Sequence, residues 1–142
     1  MNEPKSENHR WPQDAGTGES LRLNLLSFGH KYGPPPAADL VFDARVLPNP
    51  YWVEELRPRH GLEAEIAAFV LANPTGARFL ALHLELLQFI LAAARSARRP
   101  FLTVAVGCTG GRHRSPAVAQ ALAAALAAST TVNLEHRDIN RE

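Results

Sequence analysis

The chain has 142 residues, 46% of them hydrophobic and 20% charged, which suits one domain with a real core and excludes a wholly disordered chain. Fifteen basic and 14 acidic side chains leave a net charge of +1, which excludes a protein that coats nucleic acid along its whole length. The single cysteine, Cys108, excludes an internal disulfide and a multi-cysteine zinc site, and no metal or cofactor is expected.

Residues 1–20 are polar, hold two basic and four acidic side chains, and show no apolar period. They read as a disordered tail, without the apolar core of a signal peptide. The remaining 13 basic and 10 acidic residues carry +3, almost all as arginine, since Lys5 and Lys31 are the only lysines. Arginine holds phosphate with a planar fork of donors, so local anion sites are the expectation.

The alternation from Leu21 to Phe28 predicts a strand, and Gly29 to Pro36 a loop. A short strand is predicted over 39–44, then an irregular loop over 45–52 fixed by Pro48 and Pro50. A helix is predicted over 62–71, with Pro74 ending it or preventing its continuation, and a longer helix over 77–97. No run of about 18 apolar residues is read, so no membrane span or membrane partner is expected, and the compartment is read as cytoplasmic. Phe101 to Val106 reads as a central strand covered on both faces. A glycine-bearing loop over 107–115 follows, with Ser115 as helix N-cap and Pro116 in the first helical position. A helix over 117–128 and a last strand over 130–136 complete an α/β single-domain sandwich, a short and mostly parallel sheet with flanking helices.

The segment that carries chemistry is Gly107-Cys108-Thr109-Gly110-Gly111-Arg112-His113-Arg114-Ser115. Between a buried strand and a helix start, main-chain N–H groups can converge on an anion. Gly110 and Gly111 permit close backbone approach, Arg112 and Arg114 add charge, Thr109 and Ser115 add hydroxyls, and His113 adds a ring donor. The plainer alternative is a helix cap and a tight turn with solvated arginines. A sharper one is enzymatic. Cys108, five residues, then Arg114-Ser115 resembles the Cys-x5-Arg-Ser loop of protein tyrosine phosphatases. That resemblance implies a Cys108 nucleophile activated by Arg114, with Asp43 or Asp138 as the candidate general acid. His30 and His60 read as polar surface residues, and Trp52, Phe28 and Phe42 as packing.

A longer likeness joins several of these segments. Ser27-Phe28-Gly29-His30-Lys31-Tyr32-Gly33, Phe42 to Pro50, Leu56-Arg57-Pro58, Gly61-Leu62, Leu102 to Ser115 and His136-Arg137-Asp138 stand in one order from about residue 21 to the end. In them the chain resembles the C-terminal domain of the RapZ family, RNase adapter proteins also described as nucleotide-binding proteins of the YvcJ type. The resemblance implies an α/β domain over 21–142 that senses glucosamine-6-phosphate, an amino-sugar phosphate. It also implies contact with small RNA and with a protein partner in some members. By position, Thr109, Gly110, His113 and Arg114 would hold the phosphate, with Arg45, Asn49 and Tyr51 lining the same pocket. Lys31 matches a position linked to RNA, with Arg137 and Arg141 as further basic candidates. No Gly-x4-Gly-Lys-Ser/Thr segment is present, so nucleotide hydrolysis is not implied. The chain stops at Arg141-Glu142 in place of a lysine- and arginine-rich tail, so weakened RNA affinity is expected. By itself the residue pattern predicts one basic cleft, where Lys31, Arg45, Arg57 and Arg59 meet the Cys108–Ser115 loop. Taken together, the expectation is a non-catalytic phosphosugar-binding regulatory or adapter domain.

Overall fold

The computed structural model describes residues 20–141. The tail expected over 1–20 therefore lies, except for Ser20, outside the described residues. Four strands form one parallel sheet in the order β2-β3-β1-β4: β1 Arg22–Gly29, β2 Leu40–Asp43, β3 Phe101–Cys108 and β4 Thr131–His136. Three helices complete the α/β sandwich: α1 Ala64–Leu71, α2 Pro74–Ser96 and α3 Arg114–Leu126.

Alternation along the strands sorts their side chains between two faces. Leu23 and Leu25 of β1 and Leu102, Val104 and Val106 of β3 join Val70, Leu87, Leu91 and Leu122 of the helices in one buried cluster. The small residues Ala117 and Ala119 let α3 lie close in that layer. On the opposite face, buried Asn24 donates to Thr103 Oγ1 at 3.3 Å and accepts from Asn133 Nδ2 at 3.0 Å. This polar ladder satisfies groups that burial would otherwise leave unpaired.

α1 stops at Leu71, short of Pro74 as expected, but Pro74 also opens α2, three residues earlier than the expected start at 77. Asn73 caps α2 through its side-chain oxygen, which accepts from Gly76 N at 2.8 Å, and Pro74 takes the first helical position. Proline suits that position because its missing N–H would have no partner there. α2 is also long and apolar enough to cross a membrane by length and composition, with a mean hydropathy of 1.5, which corrects the reading that no such stretch exists. The source is the density of leucine and alanine between its few charges. One face, with Phe79, Leu87 and Leu91, sits in the core, while Leu82, Leu86 and Phe89 are exposed.

The topology opens a crevice at one end of the sheet. From β1 the chain passes over β3 to β2, whereas from β3 it passes through α3 to β4 on the other side. β1 and β3 are paired neighbours, with Gly29 beside Cys108 at their C-terminal ends. Adjacent parallel strands whose connections depart in opposite directions leave a crevice beyond their carboxyl ends.

Candidate functional site

That crevice is a cleft of ≈ 590 Å³, and the segments after all four strands supply its walls. Lys31 and Tyr32 follow β1, residues between Asn49 and Pro58 follow β2, Cys108 ends β3 with Thr109, Gly110 and Arg112 to Arg114 after it, and Arg141 follows β4. The loop after β3 sits directly on the end of β1. A Cβ on Gly29 would lie 2.4 Å from the carbonyl carbon of Gly110, so only glycine allows this approach. Gly111 has φ +76°, in the region that glycine occupies freely.

Arg114 is the central charge. It is only 6% exposed, and its Nη1 donates to the carbonyls of Arg45 at 2.9 Å and Leu47 at 3.4 Å. Nη2 reaches Thr109 Oγ1 at 3.4 Å. No carboxylate among the described residues pairs with it, so the buried cation is held by neutral dipoles, two carbonyls and a hydroxyl. A buried charge in that state gains from an incoming anion.

Its neighbours in the loop are struts. Arg112 Nε donates to the carbonyl of Arg59 at 3.2 Å, and Arg112 Nη2 donates to that of Pro58. His113 Nε2 lies 3.0 Å from the carbonyl of Arg57, which makes it the donor. Burial holds the His113 pKa below the ordinary value, outweighing those carbonyls, and the charges of Arg112 and Arg114 push the same way. The neutral imidazole therefore braces the loop. The N-cap of α3 is His113, without a side-chain capping bond, and the helix begins at Arg114. Ser115, expected as the cap, lies inside the first turn, where its hydroxyl donates to the carbonyl of Phe28 at 3.1 Å.

Cys108 is 2% exposed. Its sulfur accepts from Gly111 N at 3.2 Å and Ser115 N at 3.3 Å, and lies 3.1 Å from Ser115 Oγ. Two of the amides expected to face an anion thus point inward to sulfur. Neither aspartate considered as a general acid lines the cleft. Asp43 is clamped by Arg45 through Nε at 2.9 Å and Nη2 at 2.8 Å, and that contact lowers its pKa to about 2. Asp138 is fully buried, accepting from Gly29 N at 2.8 Å and Arg137 Nε at 2.9 Å.

Of the residues singled out in the sequence, the cleft brings together Lys31, Asn49, Tyr51, Arg57, Cys108, Thr109, Gly110, Arg112, His113, Arg114 and Arg141. Gly111 and Ser115 shape the loop without lining the cleft. Arg45 turns its guanidinium to Asp43 and offers only its carbonyl, and Arg59 pairs with Glu63 and Glu65. Arg137 ties the carboxyl end of the chain to the carbonyls of Pro34 and Gly29. Two readings are corrected. Trp52 is 75% exposed on the cleft wall, its ring edge-on to Tyr51 at 5.1 Å, so it is not a packing residue. The surface reading of His30 holds only in part: the residue is half-buried, with its Nε2 buried and its ring packed edge-on to Phe28. Sequence reasoning missed Tyr32 and Glu54 in the cleft. Tyr32 has one signal, its place beside Lys31 just after β1; Glu54 has none. Among the described residues no group of three or more His, Cys, Asp or Glu is placed to hold a metal ion.

Comparison with known proteins places the whole fold. The family model for the RapZ C-terminal domain matches residues 21–140. A nucleotide-binding protein of Streptomyces coelicolor is 52% identical over 132 residues, covering 92% of this chain and 44% of that protein. A nucleotide-binding protein of Nitratidesulfovibrio vulgaris is 50% identical over 129 residues, covering 90% of this chain and 44% of that protein. One from Mycolicibacterium gilvum is 48% identical over 130 residues, with coverage of 90% and 40%. The chain spans less than half the length of these curated relatives.

Proposed function

The chain belongs to the RapZ C-terminal domain family, and on that premise we propose that it is a non-catalytic regulatory module that binds an amino-sugar phosphate. The ligand, glucosamine-6-phosphate or a close analogue, lies in the cleft beyond β1 and β3. One observation carries this reading: Arg114 is nearly buried at the cleft, held by carbonyls, with no carboxylate partner among the described residues. A phosphate monoester supplies the missing negative charge and accepts from the guanidinium fork. Thr109 stands beside it, and the open backbone at Gly110 lines the same cleft. Arg112 and His113 hold the loop in shape, while Lys31 and Arg141 add positive potential at the cleft wall.

Binding is favoured over phosphate hydrolysis by the environment of Cys108. A nucleophilic thiolate needs access and a proton donor for the leaving group. Here the sulfur is buried under two N–H donors, and Asp43 is held ionised by Arg45. Thermal-shift titration with glucosamine-6-phosphate tests the proposal. The melting temperature is expected to rise with ligand concentration by linkage. No shift at millimolar concentrations of any phosphosugar removes it.

RNA contact is a second reading, supported by the cations around Tyr32. Lys31 Nζ and the Arg141 guanidinium lie 5.2 Å and 5.3 Å from its ring centroid. A gel shift at two salt concentrations tests it, with binding lost at the higher salt as the expected result. Absence of binding at low salt dismisses it.

A further inference from the structure

A second cavity, of ≈ 580 Å³, lies at the end of the sheet opposite the cleft. Its walls are Ser20 and Leu21 just before β1, the start of β4, the turn after α3, and Arg95 near the end of α2. Arg95 Nη2 donates to Thr130 Oγ1 at 2.6 Å and to the carbonyl of Ser129 at 3.3 Å, and no carboxylate among the described residues pairs with it.

One turn further on stands a cation with less to hold it. The side chain of Arg98 is exposed and has no hydrogen bond or ion pair among the described residues. Its backbone has φ 59°, in the left-handed region. There its N–H donates to the carbonyl of Arg95 at 2.9 Å, and that of Arg99 donates to Ala94 at 3.0 Å, closing α2. Glycine fits such a helix end without strain. An arginine in its place keeps a positive charge at a conformational cost, and no described group uses that charge. Asp39, an acid at the same edge, is taken by Arg99 at 3.1 Å and by the Thr103 N–H at 2.8 Å.

Residues 1–19 join the described chain at Ser20, in the cavity wall. Of these, residues 11–19 carry two carboxylates, Asp14 and Glu19, and no cation. Glu19 adjoins the wall directly, and Asp14 is within about 20 Å of it along even a fully extended chain. A tether this short gives a carboxylate an effective concentration on the order of millimolar at the cavity. Surface ion pairs too weak to join separate molecules are then populated.

We propose that this cavity and Arg98 seat the chain's own N-terminal segment, with Asp14 and Glu19 on Arg95 and Arg98. A segment whose composition alone reads as disordered is thereby ordered by charge, over the start of the interior strand β1 and remote from the cleft.

The test uses the full chain with Arg98→Lys, which keeps the charge and supplies a primary amine. A carbodiimide joins an amine to a carboxylate in contact with it, and mass spectrometry of the digest identifies the pair. Linkage of position 98 to Asp14 or Glu19 within one chain is expected at low salt. It should fall several-fold in about 1 M salt, where charges are screened beyond about 3 Å. Linkage between two chains, seen as a dimer on a denaturing gel, overturns the proposal. So does an amine that acetylates normally yet links to neither acid. In the otherwise unmodified chain, Asp14→Lys with Glu19→Lys is expected to lower the urea midpoint at low salt by about 0.2–0.5 M and to leave it unchanged at high salt. No loss at low salt, or an equal loss at both, also overturns it.

Discussion

The guanidinium of Arg114 donates to the main-chain carbonyl of Arg45 at 2.9 Å, across 69 residues of chain. This contact joins the loop after β2 to the loop after β3, and aims the other nitrogen of the fork at Thr109. The positive charge at the cleft is therefore oriented by the backbone rather than by an acid. Such an arrangement lets the charge serve a ligand without an internal ion pair having to break first.

Arg114→Ala is expected to abolish the melting shift produced by orthophosphate or glucosamine-6-phosphate. It also leaves the carbonyls of Arg45 and Leu47 without their donor, at a cost of about 1–3 kcal/mol. Arg114→Lys keeps the charge but loses the fork, so a weakened shift is expected. Thermal scans with and without ligand check both, and a full shift in Arg114→Ala moves the anion site elsewhere.

Adjacent glycines are expected to respond differently. A Cβ on Gly111 would lie 2.6 Å from Gly29 N and 2.9 Å from Asp138 Cβ, on a backbone with φ +76°. Gly111→Ala should therefore destabilise the fold, by about 2 kcal/mol or more. At Gly110 no atom lies within 4 Å of a Cβ, so Gly110→Ala should fold normally and weaken phosphate binding by intruding on the cleft. Urea unfolding separates the two, and equal midpoints would contradict the crowding at Gly111.

Local patterns were legible in the sequence because they carry local physics. The apolar run of β3, the glycines after it and the arginines beyond them mark a strand, a loop and a cluster of cations at one cleft. What was not legible depends on distant partners. Arg112 and His113 look like ligand donors until they are seen bonded to carbonyls of residues 57–59, more than fifty positions away. Arg45 looks like a cleft residue until Asp43 is found to hold it. Pro74 misleads for another reason, since proline both ends helices and begins them, and the capping bond from Asn73 decides which. Trp52 stays exposed because the turn that carries it, Pro50–Trp52, buries only its proline.

Acid is expected to destabilise the fold in two stages. Burial is the first cause holding the pKa of His30, His113 and His136 below the ordinary 6.5. Below pH 6.5 the unfolded chain binds protons that the folded chain resists, so stability present above that pH is lost as the pH falls. Asp43 adds a second loss between its ordinary 3.8 and about 2, where protonation removes its pairing with Arg45. The urea midpoint should thus be lower at pH 5 than at pH 7.5. His136 has a buried Nε2 without a partner, and its Nδ1 lies 2.6 Å from Ser27 Oγ. His136→Asn should reduce the difference between the two midpoints; an unchanged difference removes His136 from the account.

Cys108 separates a structural sulfur from a chemical one. If the sulfur serves the loop, Cys108→Ala strands the N–H groups of Gly111 and Ser115 in a buried place. An unsatisfied buried donor costs about 1–3 kcal/mol, so the variant should unfold at lower urea. Cys108→Ser restores a small polar acceptor and should recover part of that loss. Neither variant should alter the behaviour of clean protein toward a generic aryl phosphate, for which no turnover is expected. Turnover that disappears in Cys108→Ser would instead make the sulfur a nucleophile. The two N–H donors would then be stabilising a thiolate, and the cleft would be a reaction site rather than a sensor.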